Sequence, residues 1–387
     1  MGIVIFIILI LCALCAPKSK TVTWMILMFM WIIYALNTWN TDYIAYQNGY
    51  ENLISLNLYT HYEPGYTLLS LLCLKLGLPF YGFRMVLATI YVGLTYAAVR
   101  FYTRQTAIAL ALLMVFPFLS FVSGARAGIA SAIVVYSLRY LISDQRKSTI
   151  KYIIGIMSAT LFHYSSIFFF LFIFAKKAKF VPGKLFKSKK MLALIPCILV
   201  VSFCINYSDI TIKILSLITT REKTLQWFSF ETTSGRPNLM GFTMEMIVLF
   251  SSLYVAGLAK RKLSIRTSSD QFINADLKRK TRIASLAYNI SVILLLLIPF
   301  LAINSTYLRL IYEIIPLIIC SCVNAIGFVK MSLKGRNSKR LMLTKIGVTT
   351  LLWVIFLIVQ LDYGLHRGTN ISVLNMFSDN LLFGWQW

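Results

Sequence analysis

Charge is scarce in this chain, and acidic charge scarcest of all. Asp and Glu together number 13 among 387 residues, and charged residues make up 13% of the total, against about 25% in a soluble domain. Histidine occurs only three times, as His61, His163 and His366, with no spacing suited to a shared metal ion. No G-x-x-x-x-G-K-[ST] sequence is present, so the phosphate-cradling loop of an ATP-driven pump is missing. The seven cysteines (Cys12, Cys15, Cys73, Cys197, Cys204, Cys320 and Cys322) all lie in or beside apolar stretches, which sets aside a secreted disulfide scaffold. Cys12 and Cys15 have C-x-x-C spacing, but inside a hydrophobic segment, where they read as small helix residues.

What fills the chain is apolar. Hydrophobic residues make up 58%, and the mean hydropathy is +0.75. A soluble domain of this length has too little interior to hide that surface, and neither a disordered chain nor a soluble nucleotide-binding enzyme has this composition. The fold class is therefore all-α, a polytopic integral membrane protein with about 10–13 membrane helices, some short, re-entrant or broken. A spanning helix takes about 20 apolar residues. Candidates lie near 2–16, 22–39, 80–99, 106–122, 126–142, 190–207, 241–259, 283–303, 307–328 and 346–361. The first lacks a basic leader region and a small-residue cleavage site, so it reads as a retained helix. No repeat is visible, and residues 1–387 read as a single transmembrane domain.

The net charge of +25 falls in short basic blocks between apolar runs, which is a topology signal rather than a nucleic-acid surface. Segments 176–190, 260–282 and 330–345 carry most of it and are expected on the cytoplasmic side. Segment 40–62 has Asp42 and Glu51 but no Lys or Arg, and is expected outside, as are 208–240 and 362–387. The alternation closes only if two awkward segments, 63–77 and 151–175, enter and return on one side, the second turning near His163. Non-helical backbone at membrane depth needs shielding by protein or water, so such breaks mark candidate cavities.

Ionisable residues in membrane segments are costly and face a cavity or a partner. Arg126, among small neighbours in Ser123-Gly124-Ala125-Arg126-Ala127-Gly128, reads either as a bidentate phosphate ligand or as a side chain reaching back to the interface. His163 reads as a general base or as a packed helix residue. Glu63 opens Glu63-Pro64-Gly65-Tyr66; it suits a helix start, or it activates a hydroxyl. Asp42, Tyr43 and Tyr46 would supply a second acid and aromatic faces for sugar. Arg309 and Glu313 are four apart on one helix face, and read as a structural ion pair or as part of a diphosphate clamp. Arg221, Arg236, Trp227, Phe228 and Phe230 in 208–240 would border a sugar groove.

Taken in order, these motifs resemble the EpsG family of Wzy-type bacterial polysaccharide polymerases over roughly residues 35–315. The resemblance rests on Asp42 with Tyr46, on Glu63-Pro64-Gly65-Tyr66, and on Arg126 with Ile129-Ala130 and Ser137-Leu138. Phe162-His163 with Ser165-Ser166 and the Arg309 segment complete it. Ala127 stands where the family's Arg-Gln pair has Gln. The resemblance implies an enzyme that joins oligosaccharide repeat units carried on undecaprenyl diphosphate, in the bacterial cytoplasmic membrane with its active site facing the periplasm or exterior. The products would be O-antigen, capsule or exopolysaccharide. It implies His163, Glu63 and Asp42 in catalysis, and Arg126, Arg309, Tyr46 and Tyr66 in substrate binding. Lipid diphosphate is already activated, so no nucleotide, cofactor or metal is expected. Membrane lipid is an expected partner, a chain-length regulator is left open, and nucleic acid is not expected. The rival readings are a flippase or exporter of the same lipid-linked sugars, an O-antigen ligase, and a membrane O-acyltransferase.

Overall fold

The computed structural model describes residues 1–38, 40, 42–58, 62–143, 145–182, 239–269, 275–303 and 305–327, with a few isolated positions near the C-terminus. The candidate helices 190–207 and 346–361, the basic stretch 330–345 and nearly all of 208–240 and 362–387 lie outside these residues, as do Arg221, Trp227, Phe228, Phe230 and Arg236.

Among the described residues the fold is all-α. Five helices are long and apolar enough to cross a membrane, Phe80–Tyr102, Ala125–Ile142, Phe242–Ile265, Ala275–Ala302 and Arg309–Gly327. Three shorter apolar helices, Gly2–Cys15, Lys20–Leu36 and Thr106–Val115, accompany them. The chain is thus a multi-pass membrane protein. In chain order the first half runs α1 (Gly2–Cys15), α2 (Lys20–Leu36), α3 (Tyr43–Glu51), α4 (Pro64–Lys75), α5 (Phe80–Tyr102) and α6 (Thr106–Val115). It continues through α7 (Phe118–Ser123), α8 (Ala125–Ser137), α9 (Arg139–Ile142), α10 (Ser148–Thr160) and α11 (Ile173–Lys177).

Local chemistry sets these bounds. Ser19 caps α2, its Oγ accepting from the Val22 amide at 3.3 Å, which satisfies one of the helix's orphan donors. The apolar run 106–122 is two helices rather than one, because Pro117 has no amide to continue the ladder and α7 restarts at Phe118. The run 307–328 is likewise divided, into Arg309–Tyr312 and Ile315–Gly327 with Pro316 in the latter's first turn.

Segment 151–175 is a hairpin. Helix α10 is followed by a turn at Leu161–His163, a 3-10 stretch over Tyr164–Phe172, and α11. The two arms are tied across the fold-back. The Tyr152 hydroxyl donates to the Phe169 carbonyl at 2.7 Å, and Lys176 Nζ donates to Ser148 Oγ at 2.9 Å. These rungs place the tip near residue 162, beside His163, where the sequence reading put the turn.

The hairpin leans on α8, whose Ala and Ser residues let backbones approach closely, as small residues do between membrane helices. At the crossing, Gly155 faces Ser137 so tightly that an added Cβ would stand 2.7 Å from the Ser137 Cβ and closer still to its hydroxyl. Gly155→Ala is therefore expected to destabilise the fold by about 1–3 kcal/mol, the usual cost of overpacking, read as a lower melting temperature in detergent. An unchanged melt would mean that α8 and α10 do not cross this closely.

Candidate functional site

The site forms where the hairpin tip meets the start of α4. In an ordinary helix start, the side chain at the N-cap accepts from an amide two or three residues on. Glu63 holds that position, yet its carboxylate makes no capping bond. The Leu161 carbonyl takes the task instead, accepting from the Gly65 amide at 2.8 Å. Only glycine permits this contact, because a Cβ at position 65 would lie 2.9 Å from the Leu161 carbonyl oxygen and 3.0 Å from its Cβ. Glu63 is left to turn elsewhere.

It turns to two residues from distant parts of the chain. Oε2 accepts a hydrogen bond from Arg126 Nη1, and Oε1 lies 3.4 Å from His163 Nδ1. Arg126 Nε donates to the Tyr46 hydroxyl at 3.3 Å, and the guanidinium lies over the Tyr46 and Tyr62 rings at 5.7 and 5.2 Å, a favourable placement for a cation. The side chains of Glu63 and His163 are 4% and 5% exposed, against 20% for Arg126. Arg126 is thus the outward-reaching member of a carboxylate–guanidinium–imidazole cluster. Two of its five N–H donors serve Glu63 and Tyr46.

Arg309 stands beside this cluster. Its Nη1 lies 3.6 Å from where a Cβ on Gly124 would be, and Gly124 is the N-cap of α8, two residues before Arg126. The expected ion pair with Glu313 is absent as a hydrogen-bonded contact. Neither Glu313 carboxylate oxygen has a hydrogen-bond partner among the described residues, and the side chain is fully buried. The Glu313 amide donates to the Arg309 carbonyl at 3.2 Å, so the two residues lie one helical turn apart as their spacing predicts, but no ion pair joins their side chains.

Other expected site residues are placed differently. Tyr66 is buried, its ring packed against Tyr46, Tyr62 and Phe83 at 5.5–5.9 Å. It is a layer beneath the cluster rather than an open face for sugar. Asp42 is the N-cap of α3, and among the described residues no hydrogen bond or ion pair joins it to Glu63, Arg126 or His163. Tyr43 packs edge-on against Phe80.

Two contributors escape a reading by motif. Tyr62 supplies a ring under Arg126. Arg84 is buried in α5; it donates to the Tyr34 carbonyl, with its guanidinium 5.2 Å from the Tyr43 ring centre. A cavity of about 10 Å³, room for one water molecule, lies between Arg84, Tyr46, Tyr66 and Ala125. The signal for Arg84 was present in the sequence, as an arginine inside the apolar run 80–99.

Burial alone would push the Glu63 carboxyl up. The neighbouring His163 and the Arg126 charge outweigh it and hold the group down at about 2. A carboxylate lowered in this way stabilises the fold above its ordinary range, and that contribution is lost as pH falls toward the lowered value. Melting temperature should therefore fall less steeply on acidification in Glu63→Gln than in the parent. A double-mutant cycle of Glu63→Gln with Arg126→Gln should return a coupling of about 1–3 kcal/mol. A coupling near zero would mean that the two side chains do not meet.

The comparison with known families bears on the whole chain. No curated protein matches it, and no solved structure matches it. The EpsG family matches residues 20–370, which suggests a glycosyltransferase-like, polysaccharide-polymerase type of function. This match covers α2 through the last described helix and includes every member of the cluster, so the chain belongs to the EpsG family.

Proposed function

We propose that the protein joins lipid-diphosphate-linked oligosaccharide repeat units at the external face of the bacterial cytoplasmic membrane, with release of undecaprenyl diphosphate. The observation that carries this reading is the cluster itself. A carboxylate, a guanidinium and an imidazole from three separate segments meet within ion-pair reach, and a second arginine stands beside them.

The orientation follows from charge. Arg126 begins α8 and Arg139 begins the short α9 that continues it, so the two are about 20 Å apart along the helix. Arg139 lies at the end rich in Lys and Arg, which the positive-inside rule assigns to the cytoplasm. The cluster at the other end then faces outward, where lipid-linked units await assembly.

In the reaction, a hydroxyl of one lipid-linked unit attacks the anomeric carbon of the chain carried on the other. The bond from that carbon to the diphosphate oxygen breaks, and the diphosphate leaves with the bonding pair. His163 takes the acceptor proton, while Glu63 orients the ring and balances its charge, a division of labour familiar from other base–carboxylate pairs. Arg126 and Arg309 stabilise the charge that develops on the leaving diphosphate. An arriving diphosphate shares Arg126 with Glu63, leaving more of the carboxylate's charge to the imidazole as the proton is transferred. Asp42 and Tyr46 remain candidates for contacts to the sugars.

Arg126→Ala and His163→Ala should each lower the rate by about 10²–10³. In a strain lacking the parental protein, such variants should leave single repeat units on the surface in place of a polymer ladder on gels. Full ladders from properly inserted variants would dismiss the assigned roles. Complete loss of surface sugar would favour transport of the units instead.

A further inference from the structure

At the end of the bundle opposite the cluster, the ends of α9 and α11 and the two long helices Leu239–Ser269 and Ala275–Ile293 line an open cavity of about 900 Å³. Among the described residues five cations line it, Lys176, Lys179, Lys260, Arg261 and Arg282, and no Asp or Glu does. Basic residues are expected on this side of any membrane protein, but as solvated loops. Here they line one open cavity, and two of them are held in position, Lys176 by Ser148 Oγ and Lys260 by a buried network. Lys260 Nζ donates to the Phe180 carbonyl and, at 3.2 Å, to Asn289 Oδ1, with the Tyr288 ring centre 5.2 Å away. Asn289 is buried and is itself fixed by donating to the Ala175 and Ala178 carbonyls at 3.0 and 2.6 Å. The ammonium is thus anchored at the wall by the same buried amide that closes the end of α11.

The rest of the lining mixes small polar residues, Ser264, Thr281 and Ser285, with apolar ones. Val181 and Ile265 on its rim are large exposed hydrophobic residues, and Phe180 and Leu286 lie deeper. A cationic chamber with a greasy rim at the membrane boundary matches a ligand with a phosphate head and acyl tails. Basic pockets between helices on this side of a membrane suit anionic lipid headgroups. A second basic cavity, of about 530 Å³, adjoins it and shares Ile142 and Arg282, so the excess of positive charge continues around that end of the bundle.

We propose that this cavity binds the phosphate headgroup of an anionic membrane phospholipid, with Lys260 as its anchored cation. The site is separate from the Glu63–Arg126–His163 cluster, and the proposal does not depend on the polymerase reading.

The test uses the full-length protein in detergent, titrated with phosphatidylglycerol, with phosphatidylcholine of the same acyl chains, and with inorganic phosphate, each read by thermal shift and by native mass spectrometry. Phosphatidylglycerol should stabilise and remain bound, and the other two should not. Lys260→Gln should weaken its binding about fivefold, from about 1 kcal/mol per cation. Lys179→Gln combined with Arg261→Gln, two changes on the cavity wall, should weaken it further and reports independently if Lys260→Gln misfolds. Glu63→Gln should bind the lipid like the parent, which separates this site from the polymerase chemistry. Equal binding of phosphatidylcholine, an equal response to inorganic phosphate, or parental affinity in both cavity variants would overturn the proposal.

Discussion

One backbone contact organises the candidate site, the Leu161 carbonyl accepting from the Gly65 amide. A hydrogen bond of this kind contributes only about 1 kcal/mol to stability. Its consequence here is geometric. By capping α4 from outside, it leaves Glu63 uncommitted to its own helix, and it delivers His163, two residues past Leu161, to the same carboxylate. The rungs at Tyr152–Phe169 and Lys176–Ser148 keep the hairpin arms in register, and the absence of a side chain on Gly65 keeps the tip seated. An imidazole and a guanidinium more than 35 residues apart in the chain then share one carboxylate.

Such a buried ion pair is not efficient as a stabiliser. Withdrawing charges from water costs several kcal/mol, and well-packed apolar residues of the same volume often do as well or better. The surrounding rings follow the same logic. Tyr46 and Tyr62 offer Arg126 their faces, which keeps the cation partly desolvated without neutralising it. The arrangement holds charge in place and leaves the outer side of Arg126 toward the surface, as the proposed anion site requires.

Much of the fold was legible because apolar runs report membrane helices directly, and because basic blocks must alternate in side. That parity alone marked 63–77 and 151–175 as exceptional, and the second is a hairpin turning at Leu161–His163. Boundaries within runs were less legible. Hydropathy does not register that Pro117 lacks an amide, or that the helix breaks around Glu313. The four-residue spacing of Arg309 and Glu313 does correspond to one helical turn, but spacing alone does not tell whether their side chains pair. The site was half legible. Glu63, Arg126 and His163 were each conspicuous as ionisable groups beside or within apolar segments. Their mutual pairing spans about 100 residues of chain, and no local pattern encodes it. Tyr66 stood in a motif and is buried among the rings beneath the cluster, whereas Tyr62 and Arg84 stood in none and lie at or beside it.

The two ends of the bundle divide the charge between them in different ways. At the cluster end a few ions are individually matched, Glu63 to Arg126 and His163. At the basic end cations outnumber acids, and where an acid does occur it is taken up nearby, as Asp276 is by Lys280 and Arg279. Helix α8 with its continuation α9 connects the two ends, carrying Arg126 at one and Arg139, stacked on Tyr136 and Tyr140, at the other. A chain with only 13 acids cannot neutralise 38 bases, so most of its positive charge must meet water, lipid phosphates or substrate. Among the described residues Glu63 is the acid paired with Arg126, and it therefore sets how strongly that arginine is available to an anion. Removing the carboxylate would strengthen ground-state binding of diphosphate while taking away the group that orients the imidazole, and catalysis gains only from interactions that are stronger in the transition state than before it. That opposition gives a physical reason for an acid and a base to be held together at the proposed diphosphate site.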